Sequence, residues 1–297
     1  MEFRLLRYFL AVAETANFSR AAETVHLTQP ALSQAVRALE KDLGCTLFTR
    51  GHGVRLTPAG ERLREHCLRI LPMLQDVRDD LAELQGGLQG TIRPAVLESL
   101  LLYLLPPIIS RFSSTFPQVK FTFSMQETRD IEHSVLSGDS HFGLVSRPPA
   151  SRKLEALTLA SFPHVLVAPA GTTGSTAQLL KKHALFLLGD WQVAALEENT
   201  DVLKKHPNLR ILNPINHVAV VRQLVAQNLG LAILPSFVVN VELRVLQSFS
   251  DWRMSAILLR DPQRTRLAAA ETFMEFLKEK NVGVQDVAAG SCRNSPG

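Results

Sequence analysis

Cysteine is scarce in this chain: Cys45, Cys67 and Cys292 are far apart, odd in number, and form no CxxC pair. That excludes a disulfide framework and the usual zinc spacings, and it fits a reducing compartment in which each thiol is buried or idle. Long apolar runs are missing as well, so no segment approaches membrane length. The opening "MEFRLLRYFLAVAETA" has a basic start and Ala-x-Ala spacing. Arg7 interrupts its apolar stretch, however, and the run from Tyr8 to Ala13 is too short for the core of a signal peptide. A cytoplasmic protein with no membrane partner is the expectation. Catalytic signatures are absent too: there is no HExxH, no GxSxG, no P-loop and no GxGxxG opening a helix. "GTTGST", Gly171 to Thr176, lacks the Gly-Lys-Ser/Thr ending of a phosphate cradle and reads as a plain loop. No catalytic residue, metal or cofactor is expected. Charge of one sign is not in large excess either. The net charge is +4, and the first sixty residues set seven Lys and Arg against five acids. An argument for an anionic partner must therefore rest on placement, not on totals.

What is present is room for two domains in 297 residues, with 46% apolar and 20% charged residues, as in an ordinary soluble globular protein. Leu6, Phe9, Leu10 and Ala13 fall at helical spacing, giving a first helix over about residues 3 to 14. Asn17 and Ser19 offer a cap for a short second helix, "SRAAETV". A third helix has Thr28 at its N-cap, Pro30 in its first turn and Gly44 at its end. "LFTRGHGVRLT" then suits a small hairpin. In the third helix Leu32, Val36 and Leu39 face one way while Ser33, Gln34 and Arg37 share the opposite surface. Two helices, a third after a short turn, and a hairpin make a winged helix-turn-helix, whose last helix enters the DNA major groove. Gln29, Ser33 and Gln34, with Pro30 in the same first turn, are placed for bases, and Arg37 for a phosphate or guanine. Arg50 and Arg55 flank the wing, in position for phosphates or the minor groove. On periodicity alone a three-helix bundle with solvated polar faces fits equally well.

From Pro58 a heptad seam runs through Leu63, Cys67, Ile70, Leu74, Val77, Leu81, Leu84 and Leu88. Such a stripe argues for a partner helix; the alternative is a long helix packed on its own domain. Pro72, inside the pattern, is expected to kink or divide the helix. "QGGLQG", Gln85 to Gly90, reads as a hinge. The remaining two hundred residues alternate strand and helix. "TIRPAVL" precedes the helix "LLYLLPPIISRFSSTF", and "VKFTFSM" sets Val119, Phe121, Phe123 and Met125 on one face. "FGLVS", "HVLVAP", "ALFLLG", "LRILNP" and "LAILP" supply further strands, and "LAAAETFMEFLKE" a final helix. This predicts parallel α/β sheets in series, in two lobes with a cleft between them.

The segment "FSRAAETVHLTQPALSQAVRALEKDLGCTLFTR…VRLTPAG" resembles the signature of the LysR-type transcriptional regulators. Ala21-Ala22, Thr28 to Ala31, Ser33, Leu39-Glu40, Leu43-Gly44, Leu47-Phe48, Arg50 and Leu56 to Gly60 all fall in register, and the likeness covers residues 1 to 282. The resemblance implies a winged helix-turn-helix domain over residues 1–58, a linker helix and hinge over 59–90, and an effector domain over 91–282. The effector domain would have two lobes like those of periplasmic binding proteins, one over about 91–162 plus 260–282 and one over about 163–259. The tail, 283–297, is small and polar and is expected to be disordered. The resemblance also implies promoter DNA as a partner, self-association as a dimer or tetramer, RNA polymerase as a candidate contact, and a small-molecule effector between the lobes. The alternative is an α/β enzyme carrying an appended DNA-binding module. Two positions depart from the family pattern at the DNA and hinge regions: Gln34 stands where Arg is frequent, and His141 where Asp is usual. His141 is either a surface-turn residue without consequence or a change at the lobe hinge.

In doubly wound sheets, ligands bind beyond the carboxyl ends of the strands. Ser99, Gln126, Thr128, Ser146 with Arg147, Asp190, Trp191, and Asn216 with His217 fall at such places. His217 departs from the family's Ser or Thr; it either meets an acid ligand or caps a helix. An organic anion is the class of effector this arrangement suggests.

Overall fold

The structure, a computed structural model, describes residues 2–51, 53–83, 88–188, 190–199, 201–212, 217–264 and 267–279. Leu84, the hinge residues 85–87, His52 at the wing tip, Asn216 and the tail 283–297 lie outside the described residues. The chain forms two compact units, one of Met1–Gly87 with Ser137–Asp139 and one of Leu88–Leu136 with Ser140–Gly297.

In the first unit, α1 (Phe3–Thr15), α2 (Phe18–Thr24) and α3 (Gln29–Leu43) pack around Leu6, Phe9, Val12, Leu32, Val36 and Leu39, all fully buried. Local chemistry sets their ends. The Asn17 side chain accepts from the backbone N–H groups of Ser19 and Arg20, and Thr28 Oγ1 accepts from Ala31 N. Gly44 closes α3 with a φ of +67°, a left-handed turn that favours glycine. Two strands, β1 (Phe48–Gly51) and β2 (Gly53–Leu56), form the antiparallel hairpin. It is fastened to α3 by Glu40, whose Oε1 accepts from Leu47 N at 2.8 Å and Phe48 N at 3.3 Å.

The long helix α4 (Pro58–Glu83) runs through Pro72 without being divided, so of the two outcomes expected there the division does not occur. Its apolar stripe does not act as one seam. Cys67 is fully buried in the core of its own unit, with Leu63 and Leu71 packed beside it, because α1 lies along this part of α4. The spacing set Cys67 in a seam toward a partner helix, with packing on its own domain as the alternative; at Cys67 the packing is within its own domain. Ile70 and Leu74 are half-buried, while Val77 and Leu81 are 53% and 59% exposed.

The second unit begins with β3 (Gly90–Ile92), β4 (Pro94–Val96), α5 (Glu98–Tyr103), α6 (Leu105–Thr115), β5 (Val119–Phe121), β6 (Ser124–Met125), α7 (Thr128–Ser137) and β7 (Phe142–Val145). It continues with β8 (Glu155–Pro169), α8 (Thr176–Lys182), β9 (Leu185–Phe186), α9 (Asp190–Asn199), α10 (Val202–Lys205) and β10 (Ile211–Leu212). α11 (Val218–Ala226), β11 (Leu231–Pro235), β12 (Leu243–Arg260) and α12 (Ala268–Lys278) complete it. Eight strands make one sheet in the order β10-β9-β11-β8-β12-β7-β4-β6, and β3 pairs with β5 in a separate parallel ribbon.

Two parallel sheets in series were expected; the strands instead form the parallel flanks β10-β9-β11 and β6-β4-β7 of a single mixed sheet. They are joined by β8 and β12, an antiparallel pair that the alternation pattern did not reveal as single long strands. The lobe boundary placed between residues 162 and 163 falls inside β8, opposite a break in register between Phe249 and Arg253. The stretches "TIRPAVL" and "VKFTFSM" each split across the two sheets. Pro94 has no N–H to extend a ladder past Ile92. Met125, expected on one face with Val119, is 60% exposed, whereas Val119 is buried. Below the sheet the aromatic cluster of Phe112, Phe121 and Phe273 is packed edge to face at 4.9–5.9 Å, anchoring α6 and α12.

Candidate functional site

Each unit carries one candidate site. In the first, the buried row Leu32, Val36 and Leu39 fixes the roll of α3, so Gln29, Pro30, Gln34 and Arg37 are exposed and Ser33 half-buried at the same surface. Arg55 is exposed on β2. Arg50 pairs through its backbone with Val54; its side chain is outside the described residues. The start of α4 is held against the hairpin at Gly60, where an added Cβ would lie 2.2 Å from the Leu47 carbonyl oxygen.

In the second unit a cleft of about 830 Å³ opens at the carboxyl ends of the parallel strands. Ser99, Gln126, Thr128, Ser146 and His217 all line it. Ser99 and Thr128 are nearly buried, and Ser99 sits inside α5, not at its cap. Gln126 donates through Nε2 to Ser124 Oγ at 2.7 Å, while its Oε1 is buried without a partner. The Asp190 and Trp191 side chains lie outside the described residues. His217 precedes α11 but makes no side-chain cap; its Nδ1 lies 2.8 Å from Glu98 Oε2. His141 is no bystander on a turn: its Nδ1 accepts from the Arg93 backbone N–H at 3.0 Å, extending the pairing of β4 with β7.

The sequence reading missed one wall of the cleft, formed by His164, Trp252, Arg253 and Met254. His164 stacks on Trp252 with ring centroids 4.5 Å apart, and its Nδ1 lies 3.2 Å from the Trp252 carbonyl oxygen. Burial pulls its pKa down to about 4, against the opposing pull of that carbonyl, so the ring is neutral near pH 7. A carbonyl only accepts; Nδ1 therefore holds the proton, and Nε2 is left as an acceptor in the cleft wall. Arg253 donates to Ser161 Oγ at 3.0 Å and to the Ser161 carbonyl at 2.6 Å. The register break between β8 and β12 sets these side chains toward the cleft; only the polar–apolar alternation of "SDWRMSA" signalled them. Among the described residues, no group of three or more His, Cys, Asp or Glu is placed to hold a metal ion, and no helix is long and apolar enough to cross a membrane.

Two family models match. Residues 3–61 match the bacterial regulatory helix-turn-helix protein, lysR family, and residues 85–281 match the LysR substrate binding domain. The chain is 35% identical over 175 residues to the HTH-type transcriptional regulator IlvR of Caulobacter vibrioides, covering 57% of this chain and 58% of that protein. It is 30% identical to the probable HTH-type transcriptional regulator LrrA of Synechococcus elongatus, over 79% of this chain and 81% of that protein. Across the first few relatives it spans about half their length, 46–58%. These relatives are named as transcriptional regulators, not enzymes. In fold it is similar to full-length CbnR, solved in complex with its target DNA, with a TM-score of 0.70 at 21% identity over 93% of this chain and 98% of that one.

Proposed function

Since the chain belongs to the LysR family of bacterial transcriptional regulators, we propose that it binds promoter DNA in a sequence-specific manner and is controlled by a small molecule held in the cleft of its second unit. The observation that carries the DNA reading is the surface of α3, where Gln34 and Arg37 stand exposed behind a fully buried Leu32, Val36 and Leu39. Gln34 hydrogen-bonds best to adenine, while Arg37 and Arg55 hold phosphates. The exposed end of the α4 stripe, Val77 and Leu81, supports self-association through that helix, as a dimer or a pair of dimers. Closure of the cleft on its ligand changes the angle between DNA-binding dimers and hence the bend of the DNA. RNA polymerase is the contact through which such a change reaches transcription, and the cytoplasm is where the protein works.

The test is selection of bound duplexes from a random-sequence pool by the full chain, followed by footprinting. A partly palindromic site enriched over random DNA is the expected outcome. Binding to all duplexes alike would refute sequence-specific regulation.

A further inference from the structure

The carboxylates and guanidiniums lining the cleft are equal in number. Glu98 and Glu127 stand with Arg147 and Arg253, and the buried His164 adds no charge near pH 7. A simple organic anion needs a cleft with excess positive charge. Here every guanidinium that would attract it is matched by a carboxylate that repels it. The wall also presents acceptors to a ligand, one of them buried without a donor. Gln126 Oε1 is buried without a partner, and Nε2 of His164 is an acceptor held in place by the Trp252 carbonyl at the ring's other nitrogen. Glu98 Oε2 has His217 Nδ1 at 2.8 Å, in a pair open enough to solvent to be exchanged. Buried acceptors left unmade are costly, so a ligand that donates N–H groups gains what an anion does not. Leu97, Met125 and Met254 supply an apolar surface in the same cleft.

We propose that the effector is a zwitterion: an α-amino acid with an apolar side chain, its carboxylate met by Arg147 and Arg253 and its ammonium by Glu98. This rests on the reading of the cleft as the effector site. Binding exchanges the His217 imidazole on Glu98 for the ligand's ammonium, one hydrogen bond to the carboxylate in place of another. The contact broken is one that joins α5 to α11 across the cleft, so the ligand's arrival is felt by both helices.

Isothermal titration of the full chain with L-leucine, L-methionine and L-phenylalanine, and with the corresponding carboxylic acids lacking the amino group, tests this directly. At least one amino acid is expected to bind, with its desamino counterpart about tenfold weaker or worse. Glu98→Gln is expected to close that gap by weakening the amino acid alone. Equal or tighter binding of the desamino acid, a gap that survives Glu98→Gln, or no binding by any of the three amino acids would overturn the proposal. Met125→Trp separates this failure from failure of the site, because Met125 is 60% exposed and its replacement narrows the cleft at little risk to folding. Desamino-acid binding that Met125→Trp abolishes keeps the cleft as the effector site and removes the zwitterion. Amino-acid binding untouched by Met125→Trp removes the site itself.

Discussion

His217 Nδ1 lies 2.8 Å from Glu98 Oε2, so the residue before α11 and the first residue of α5 are joined across the mouth of the cleft. The pair is wet: the two side chains are 61% and 35% exposed. Contacts of this kind contribute about 0–1 kcal/mol, because water competes for both partners. A second contact joins the same two helices, Arg222 standing 5.2 Å over the Tyr103 ring. His217→Ala is therefore expected to lower the stability of the ligand-free protein by less than about 1 kcal/mol in urea titrations. A loss above about 2 kcal/mol would mean that the pair, and not the packing behind it, holds the two helices together.

His164 makes a pH-dependent contribution. Its folded pKa, about 4, is below the ordinary 6.5, so between these values the unfolded chain takes a proton that the folded chain refuses. The stabilisation is fully present above about pH 6.5 and is lost as pH falls toward 4, amounting to up to about 3 kcal/mol. His164→Phe keeps a ring against Trp252 but removes the titration. The difference in unfolding free energy between wild type and variant should shrink steadily from pH 7 to pH 4.5. A constant difference over that range would mean that the imidazole is not buried as described.

Gly60 is where the winged unit has no spare room. A Cβ there would sit 2.2 Å from the Leu47 carbonyl oxygen and 2.9 Å from Leu56 Cδ2, while the same carbonyl accepts from Thr57 N at 2.9 Å. Gly60→Ala must push the start of α4 away from the hairpin, costing about 1–3 kcal/mol. The first thermal transition of the full chain is expected to drop and the second-unit transition to stay. If Gly60→Ala melted like wild type, the hairpin would have to yield freely to the added methyl.

How far the sequence was legible depended on whether a signal was local. The caps at Asn17 and Thr28, the stop at Gly44 and the buried stripe of α3 all follow from residues within a few positions of one another, and the structure has each of them. Six polar positions of the cleft wall were equally readable, because strand ends and helix starts announce themselves. The wall of His164, Trp252 and Arg253 was not. Its placement comes from the pairing of β8 with β12 across some ninety residues and from a register break that no periodicity records. Cys67 shows the opposite error: its spacing fits a seam between chains, but α1 supplies the covering face from within. Burial there pushes the thiol up to about 11, the chemistry of a packed side chain and not of a reactive one.

Base contacts and backbone contacts on α3 and the wing are expected to separate under substitution. Gln34 is exposed at the surface that carries Ser33, while Arg55 projects from β2, outside the helix. A side chain that reads a base edge matters at one position of the site; a cation on a phosphate matters at all of them alike. Gln34→Ala should relax preference at a single base pair by about 1–3 kcal/mol and leave the salt dependence of binding as it was. Arg55→Ala should weaken binding to every duplex by a similar factor and reduce the slope of log K against log salt by about one. Affinities for the selected site and its single-base variants, measured at several salt concentrations, give both quantities at once. If Arg55→Ala altered base preference while Gln34→Ala changed only the salt slope, the wing and not α3 would be the element that reads sequence.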